Sequence, residues 1–275
     1  MTAANAGLDR GEQGQSSSIA GYSPGMPGRT FVVGDIHGDI DALRTLFARL
    51  PPMVAADTVV FLGDYLDRGA HSAEVIGFVR ALEEQGSFSV VCLRGNHEDA
   101  WLRVIDGGWD EFVYPPGNGC LAAMRSFTGG IPPQDDERPS VDEIGPLYLG
   151  SFFPKDVVAW MRGLAYFHED EHGIYVHAGL IERDGVFAHP RDTTPRIAML
   201  WTRSEEFFRN YRGKRVVVGH TVTETLPPEL SFHTPSDPSD LWAGECVVAI
   251  DTGAGKGGFL TALELPALVV WESRA

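Results

Sequence analysis

Cysteine, positive charge and long apolar runs are all scarce in this chain. Its 275 residues hold 3 cysteines, Cys92, Cys120 and Cys246, an odd number at wide spacing with no Cys-x-x-Cys pair. That excludes a disulfide framework and fits a reducing, cytoplasmic setting. Lysine and arginine number 22 against 38 aspartates and glutamates, for a formal net charge of −16. Binding to nucleic acid or to an anionic membrane needs a basic face, so neither is expected as a partner. Any site for an anionic ligand would have to make its own positive field, from metal ions and a few arginines. The longest apolar runs are of strand length, far short of the roughly 20 residues that span a bilayer. The N-terminus lacks the basic-then-apolar pattern of a secretory signal. Residues 1–28, rich in Gly, Ser, Ala and Gln, read as a disordered tail.

What is present is an ordinary core fraction, 43% hydrophobic, over a length that suits one α/β domain from residue 29 to 275. The run Thr58-Val59-Val60-Phe61-Leu62 reads as a buried strand that delivers Asp64 at its C-terminal tip, within Gly63-Asp64-Tyr65-Leu66-Asp67-Arg68-Gly69. A buried carboxylate without a counter-charge is costly, and two divalent cations sharing it would remove the cost. Other apolar runs repeat the plan. Thr30–Val33 leads into Gly34-Asp35-Ile36-His37-Gly38, where Asp35 and His37, two apart, point to one side of an extended tip. Asp39 then reads as the N-cap of a helix bearing Ile40, Leu43, Leu46, Phe47 and Leu50, stopped by Pro51-Pro52. Ser87–Leu93 leads into Arg94-Gly95-Asn96-His97-Glu98, Gly173–Val176 into His177, and Arg215–Val218 into Gly219-His220.

Residues 101–165 lose this regularity and read as a lid-like insert of short helices and loops over the site. Cys246–Ile250 and Phe259–Leu265 read as a hairpin joined by the loop Asp251–Gly258. That loop contains Gly253-x-Gly255-x-x-Gly258, which matches a dinucleotide fingerprint. Only a short tail follows, too little for the helix, strand and acid the fingerprint requires, so a turn is the better reading.

A single Asp or His at a strand end is more often a cap or turn residue than a ligand. Convergence changes the balance: Asp35, His37, Asp64, Asn96, His177 and His220 all follow apolar strands. Carboxylate, imidazole and amide oxygen suit manganese, iron or zinc. His97 beside Asn96, with Asp67 near Asp64, has the composition of an acid dyad, the bland alternative being packing and a turn acid. Arg68, Arg94 and Arg203 are candidates for phosphate oxygens, the alternative being salt bridges. Glu98 either supports a ligand from behind or only starts a helix. Lys256 is a minor candidate for the cleft. His71, His168, His172, His189 and His233 lack the strand-tip setting and read as surface or structural, and the cysteines as buried small hydrophobes.

Taken in order, these motifs resemble the signature of the phosphoprotein phosphatase branch of the metallophosphoesterases, across roughly residues 30–265. The resemblance implies an α/β chain, α+β by some schemes, with a β-sandwich core flanked by helices. It implies two metal ions, manganese foremost: Asp35 and His37 on one, Asn96, His177 and His220 on the other, and Asp64 bridging. It makes His97 with Asp67 the acid dyad and puts Arg68, Arg94 and Arg203 on the phosphate. The compact chain is most similar to bacterial and phage-type Ser/Thr protein phosphatases, acting on phosphorylated proteins or small phosphoesters. Dinucleoside tetraphosphatases, the main alternative, tend to carry Asp where this chain has Glu98. A non-catalytic phosphoprotein-binding scaffold is the further alternative, with no use for His97.

Overall fold

The short apolar runs become strands buried on both faces, because helices cover one side of each sheet and the other sheet covers the other. The computed structural model describes residues 9–10, 28–232, 237 and 239–274. Its elements run β1 (Asp9–Arg10), β2 (Thr30–Val33), α1 (Ile40–Arg49), β3 (Thr58–Phe61), α2 (Ser72–Gln85) and β4 (Ser89–Cys92). There follow α3 (Asn96–Gly107), α4 (Asp110–Val113), α5 (Cys120–Thr128), α6 (Val141–Leu149) and α7 (Lys155–Gly163). The remainder comprises β5 (Phe167–Glu169), β6 (Ile174–Val176), β7 (Glu182–Arg183), β8 (Val186–Phe187), α8 (Ala198–Trp201) and α9 (Glu205–Asn210). The chain closes with β9 (Val216–Val218), β10 (Trp242–Ala243), β11 (Val247–Ala249), β12 (Thr261–Leu265) and β13 (Val269–Glu272).

One sheet has the order β1-β13-β12-β2-β3-β4 and the other β10-β11-β9-β6-β5. Within the first, β2, β3 and β4 are parallel, and within the second so are β6, β9 and β11. Alternate residues serve different layers: Val32, Val60 and Leu62 pack between the sheets with Tyr175, Val217 and Ile250, while Phe31, Val33, Val59 and Phe61 pack under α1 and α2. The result is the α/β sandwich flanked by helices that the resemblance implied.

Capping explains where the first helix begins. Asp39 accepts a hydrogen bond from Ala42 N at 2.9 Å, and the helix ends before Pro51 as the sequence indicates.

The hairpin expected between residues 246 and 265 is not formed. β11 pairs in parallel with β9 in one sheet, and β12 pairs antiparallel with β2 and β13 in the other. Both strands are apolar enough to lie anywhere inside a sandwich, so their proximity in sequence does not decide their partner. The loop between them crosses from sheet to sheet and packs on the Asp35–Gly38 turn: a Cβ at Gly255 would lie 2.3 Å from His37 O. Most of the tail expected to be disordered lies outside the described residues, as does His233. Asp9–Arg10 add a parallel strand beside β13.

Candidate metal centre

All the strand tips with candidate ligands open at the same end of the sandwich, from both sheets. Asp35 and His37 follow β2, Asp64 follows β3, His177 follows β6 and His220 follows β9. Asn96 begins α3, directly after β4, with Gly95 as its cap. The turns are stitched together by their backbones: Ile36 N and His37 N both donate to Asp64 O, at 3.1 and 2.8 Å. Several side chains reach the centre from left-handed backbone, with φ of 49° at His37, 53° at Asp64, 71° at Asp67, 64° at Arg68 and 64° at His220. Such conformations cost about 1–3 kcal/mol each outside glycine, so the fold holds these residues against local preference.

Asp64 is the hub. Its Oδ2 lies 3.4 Å from His37 Nε2 and its Oδ1 3.6 Å from His177 Nε2, while His97 N at the start of α3 donates to Oδ1 at 3.0 Å. Ligand atoms of His37, Asp64 and His97 lie within 4.8 Å of one another, as do those of Asp64, His177 and His220. Asp64 belongs to both groups. Asp35 lies behind them, accepting from His220 N at 3.0 Å.

The donor set fits cations. His37 Nδ1 lies 3.1 Å from Leu66 O and His177 Nδ1 2.9 Å from Leu62 O. A carbonyl only accepts, so both rings carry their proton on Nδ1 and leave Nε2 bare. The bare Nε2 of His177 then lies 2.9 Å from Asn96 Oδ1, lone pair against lone pair. His220 Nδ1 is 2.7 Å from the same oxygen, and its Nε2 is buried with no partner. Burial lowers the pKa of all three imidazoles, that of His220 to about 2, so protonation does not relieve the clash. Burial, then Asp251 and Asp64, push Asp35 well up. Cations among these atoms remove the lone-pair repulsion and the carboxylate crowding together.

The candidate acid is built separately. His97 Nδ1 contacts Asp67 Oδ2 at 2.7 Å, and Trp101 Nε1 donates to both Asp67 oxygens at 2.9 and 3.0 Å. Burial opposes it, but Asp64 and Asp67 raise the His97 pKa above its usual value. Its Nε2 lies 4.0 Å from Asp64 Oδ2 and 3.4 Å from Arg68 Nη2. Glu98 is a clamp on the turns, taking hydrogen bonds from Asp64 N, Tyr65 N and Gly95 N, each at 2.9 Å.

The arginines differ. Arg68 reaches the centre and keeps its Nε buried without a partner. Arg203 is exposed, 3.4 Å from Thr221 Oγ1. Arg94, expected on the phosphate, donates instead to Met161 O at 3.2 Å, Arg162 O at 2.8 Å and Tyr166 Oη at 3.0 Å. It caps the C-terminal carbonyls of α7, which leaves its head engaged in the scaffold. Lys256 is exposed at the crossing loop.

Two contributors escaped the sequence reading. Trp101 locks Asp67, a long-range contact with no local signal. Asp251 is fully buried at the tip of β11, its Oδ1 accepting from Gly253 N at 3.1 Å and its Oδ2 without a partner. Its apolar approach, Cys246 to Ile250, was the same signal that marked the other tips.

Two groups of side chains that could each hold a metal ion share Asp64 and span both sheets, beside the His97–Asp67 pair and Arg68, the composition of a dinuclear metal site. Residues 28–224 match the family model described as calcineurin-like phosphoesterase, and the chain belongs to that family. It is accordingly a metal-dependent phosphoester hydrolase with a dinuclear divalent site. Solved structures share the fold. One described as a putative diadenosine tetraphosphatase has 18% identity and a TM-score of 0.56, covering 91% of this chain and 95% of that one. A metallophosphoesterase from Sphaerobacter thermophilus has 15% identity and a TM-score of 0.51, covering 90% and 88%. A cold-active protein tyrosine phosphatase has 18% identity and a TM-score of 0.52, covering 86% and 73%. No helix among the described residues is long and apolar enough to cross a membrane.

Proposed function

We propose that this phosphoesterase is a serine/threonine protein phosphatase. Asp35, His37 and Asp64 would hold one cation and Asp64, Asn96, His177 and His220 the other, a nitrogen and oxygen set that suits manganese, iron or zinc, of which manganese is the metal proposed. Bound there, the pair supplies Lewis acidity and an ionised water at neutral pH. The remaining work falls to side chains of the chain itself. Arg68, assisted by Arg203, takes the charge that spreads over the phosphoryl oxygens as the water oxygen forms its bond to phosphorus. As the bond from phosphorus to the seryl or threonyl oxygen breaks, His97 Nε2 delivers a proton to that oxygen. Asp67, steadied by Trp101, keeps the imidazole oriented and protonated.

The His97–Asp67–Trp101 arrangement is the observation that carries this reading. A seryl alkoxide is a poor leaving group and needs a proton, whereas a nucleotide released from a polyphosphate leaves well without one. Free, largely buried Cys92 and Cys120 agree with action in a reducing cytoplasm. The alternative, a dinucleoside tetraphosphatase, draws on the fold likeness to the putative diadenosine tetraphosphatase. Rates of the manganese-loaded enzyme on phosphoserine peptides and on diadenosine tetraphosphate decide between them. A higher kcat/KM on the peptides is expected, and preference for the dinucleotide overturns the proposal.

A further inference from the structure

The two arginines offered to the phosphoryl group are held in different ways. Arg68 is fixed through its backbone: Gly119 of the insert has φ of 76°, and a Cβ on it would lie 2.0 Å from Arg68 N, so only glycine permits this approach. Arg203 is exposed, on the short link between α8 and the Ser204 cap of α9, with a long contact of 3.4 Å to Thr221 Oγ1. A helix of one turn does not hold its place alone, so the segment that carries Arg203 is set by what it packs against. One side of it is tied to the second sheet. Ala178 N, next to His177, donates to Met199 O at 3.0 Å, and a Cβ at Gly179 would lie 3.2 Å from Thr202 Cγ2.

The other side rests toward α3 through Trp201, and there the polar contacts are unfinished. Trp201 packs edge-on against Trp109 with ring centroids 5.6 Å apart, and Arg103 of α3 lies over the Trp109 ring at 4.1 Å. Trp201 Nε1, Asp99 Oδ2 and Arg94 Nε are all buried, and none has a hydrogen-bond partner among the described residues. They belong to one cluster. Arg94 Nη1 is 3.9 Å from Asp99 Oδ1, and burial pushes the Asp99 pKa up while Arg94, the Trp201 indole N–H and Arg103 pull against it. Two donors and one acceptor are thus left open side by side. A carboxylate oxygen has lone pairs for both donors, and each buried group left unmet costs about 1–3 kcal/mol, so a small closure onto Asp99 Oδ2 is favourable.

We propose that Asp99 is a positioning residue for phosphate binding: it takes the Trp201 indole N–H, with Arg94 steadying its carboxylate, and so places Arg203, two residues beyond Trp201, against the phosphoryl oxygens. The inference rests on the phosphate role given to Arg203 and deepens it. Asp99 acts only through Trp201. It lies on α3 just after Asn96 and His97, so the clasp couples the helix that carries the candidate acid to the segment that carries the arginine. Arg94, engaged in the scaffold, acquires an indirect part in the same site.

The test measures binding of inorganic phosphate to the manganese-loaded full chain by titration calorimetry, with aryl phosphate kinetics alongside. Trp201→Phe keeps a ring against Trp109 and removes the N–H, and Asp99→Leu keeps the bulk and removes the acceptor. Each is expected to raise the phosphate Kd and the aryl phosphate KM about fivefold, with manganese content unchanged. In an Arg203→Ala background, itself weakened for phosphate, Trp201→Phe should cost nothing further, because the indole N–H acts through that guanidinium. A purely structural Trp201 would instead weaken both backgrounds alike. Additive losses in the double variant, or a phosphate Kd unchanged in Trp201→Phe or in Asp99→Leu, overturn the positioning role and leave Arg203 on the phosphate. A phosphate Kd unchanged in Arg203→Ala overturns both.

Discussion

The strand-tip centre and the insert that follows it meet at Arg68, yet they treat polar groups in opposite ways. In the centre, Asp35, Asp64 and Asp251 are each 2% exposed or less, the bare Nε2 atoms of His37 and His177 face Asp64, and no lysine or arginine among the described residues forms an ion pair with any of the three. In the insert, several charges pair with one another near solvent: Arg125 holds Glu137 and Glu143, and Arg162 holds Asp106. The centre is therefore an arrangement completed by added positive charge, and these pairs of the insert need none. Removing cations should loosen the first and leave the second unaffected.

The sharpest way to break that contrast is Asp64→Asn. The change withdraws the one carboxylate common to both ligand groups, so bound metal by elemental analysis should be lost, and kcat/KM should fall roughly a thousandfold or more. Amide exchange in α5 and α6 should stay as in the parent. If metal binding survives, Asp64 is not the shared ligand.

Next in size is His97→Ala, which removes the proposed acid without touching the ligands proposed for the cations. Metal content should be retained while turnover of phosphoserine peptides falls about 10²–10⁴-fold, and the loss should shrink on aryl phosphates with good leaving groups. Equal losses on both substrates would remove the proton-delivery role.

A smaller effect separates the two states of the centre. Asp251→Asn takes away a buried carboxylate with an unpartnered oxygen, close enough to Asp35 to push that group's pKa up. Without metal the variant should melt a few degrees higher, because one buried like-charge contact is gone. With metal it should bind cations about tenfold more weakly, read by titration calorimetry. A lower melting temperature in the metal-free state would make Asp251 an ordinary loop acid.

The same contrast explains what could be read from the residues alone. The strand tips were legible because Val32-Val33, Val60-Phe61-Leu62 and Val216-Val217-Val218 are continuous apolar runs that stop at a glycine and a ligand type. Positive φ at Asp64 or His220 leaves no such trace, since neither residue type announces it. Arg94 looked equivalent to Arg68 because both adjoin a ligand motif. What separates them is that the end of α7, 67 residues further on, comes to rest beside Arg94. The pairing of β11 and β12 failed for a related reason: strands buried on both faces carry no alternation that would tell one sheet from the other. In the insert the helices are short and their apolar residues partly exposed, as at Tyr114, Ile131 and Val141, so periodicity is diluted there.

The smallest predicted effect lies wholly within the insert. Ser140 and Glu143 form the N-terminal capping box of α6, and the same Glu143 carboxylate takes Arg125 Nε from α5 at 2.7 Å. The guanidinium, helped by Ser140, lowers the Glu143 pKa from 4.5 to about 2 despite slight burial in the other direction. A carboxyl held below its unfolded value contributes its full stability above that value and loses it as the pH falls through the folded one. The window is therefore between about pH 4.5 and 2, and near solvent the contribution is about 1 kcal/mol or less. Amide exchange in α5 and α6 should accelerate across that window in metal-free protein, and Arg125→Ala should flatten the dependence while the strands of the sandwich exchange as before. If the sandwich strands follow the same pH profile as α6, the two regions unfold as one unit and the contrast between them fails.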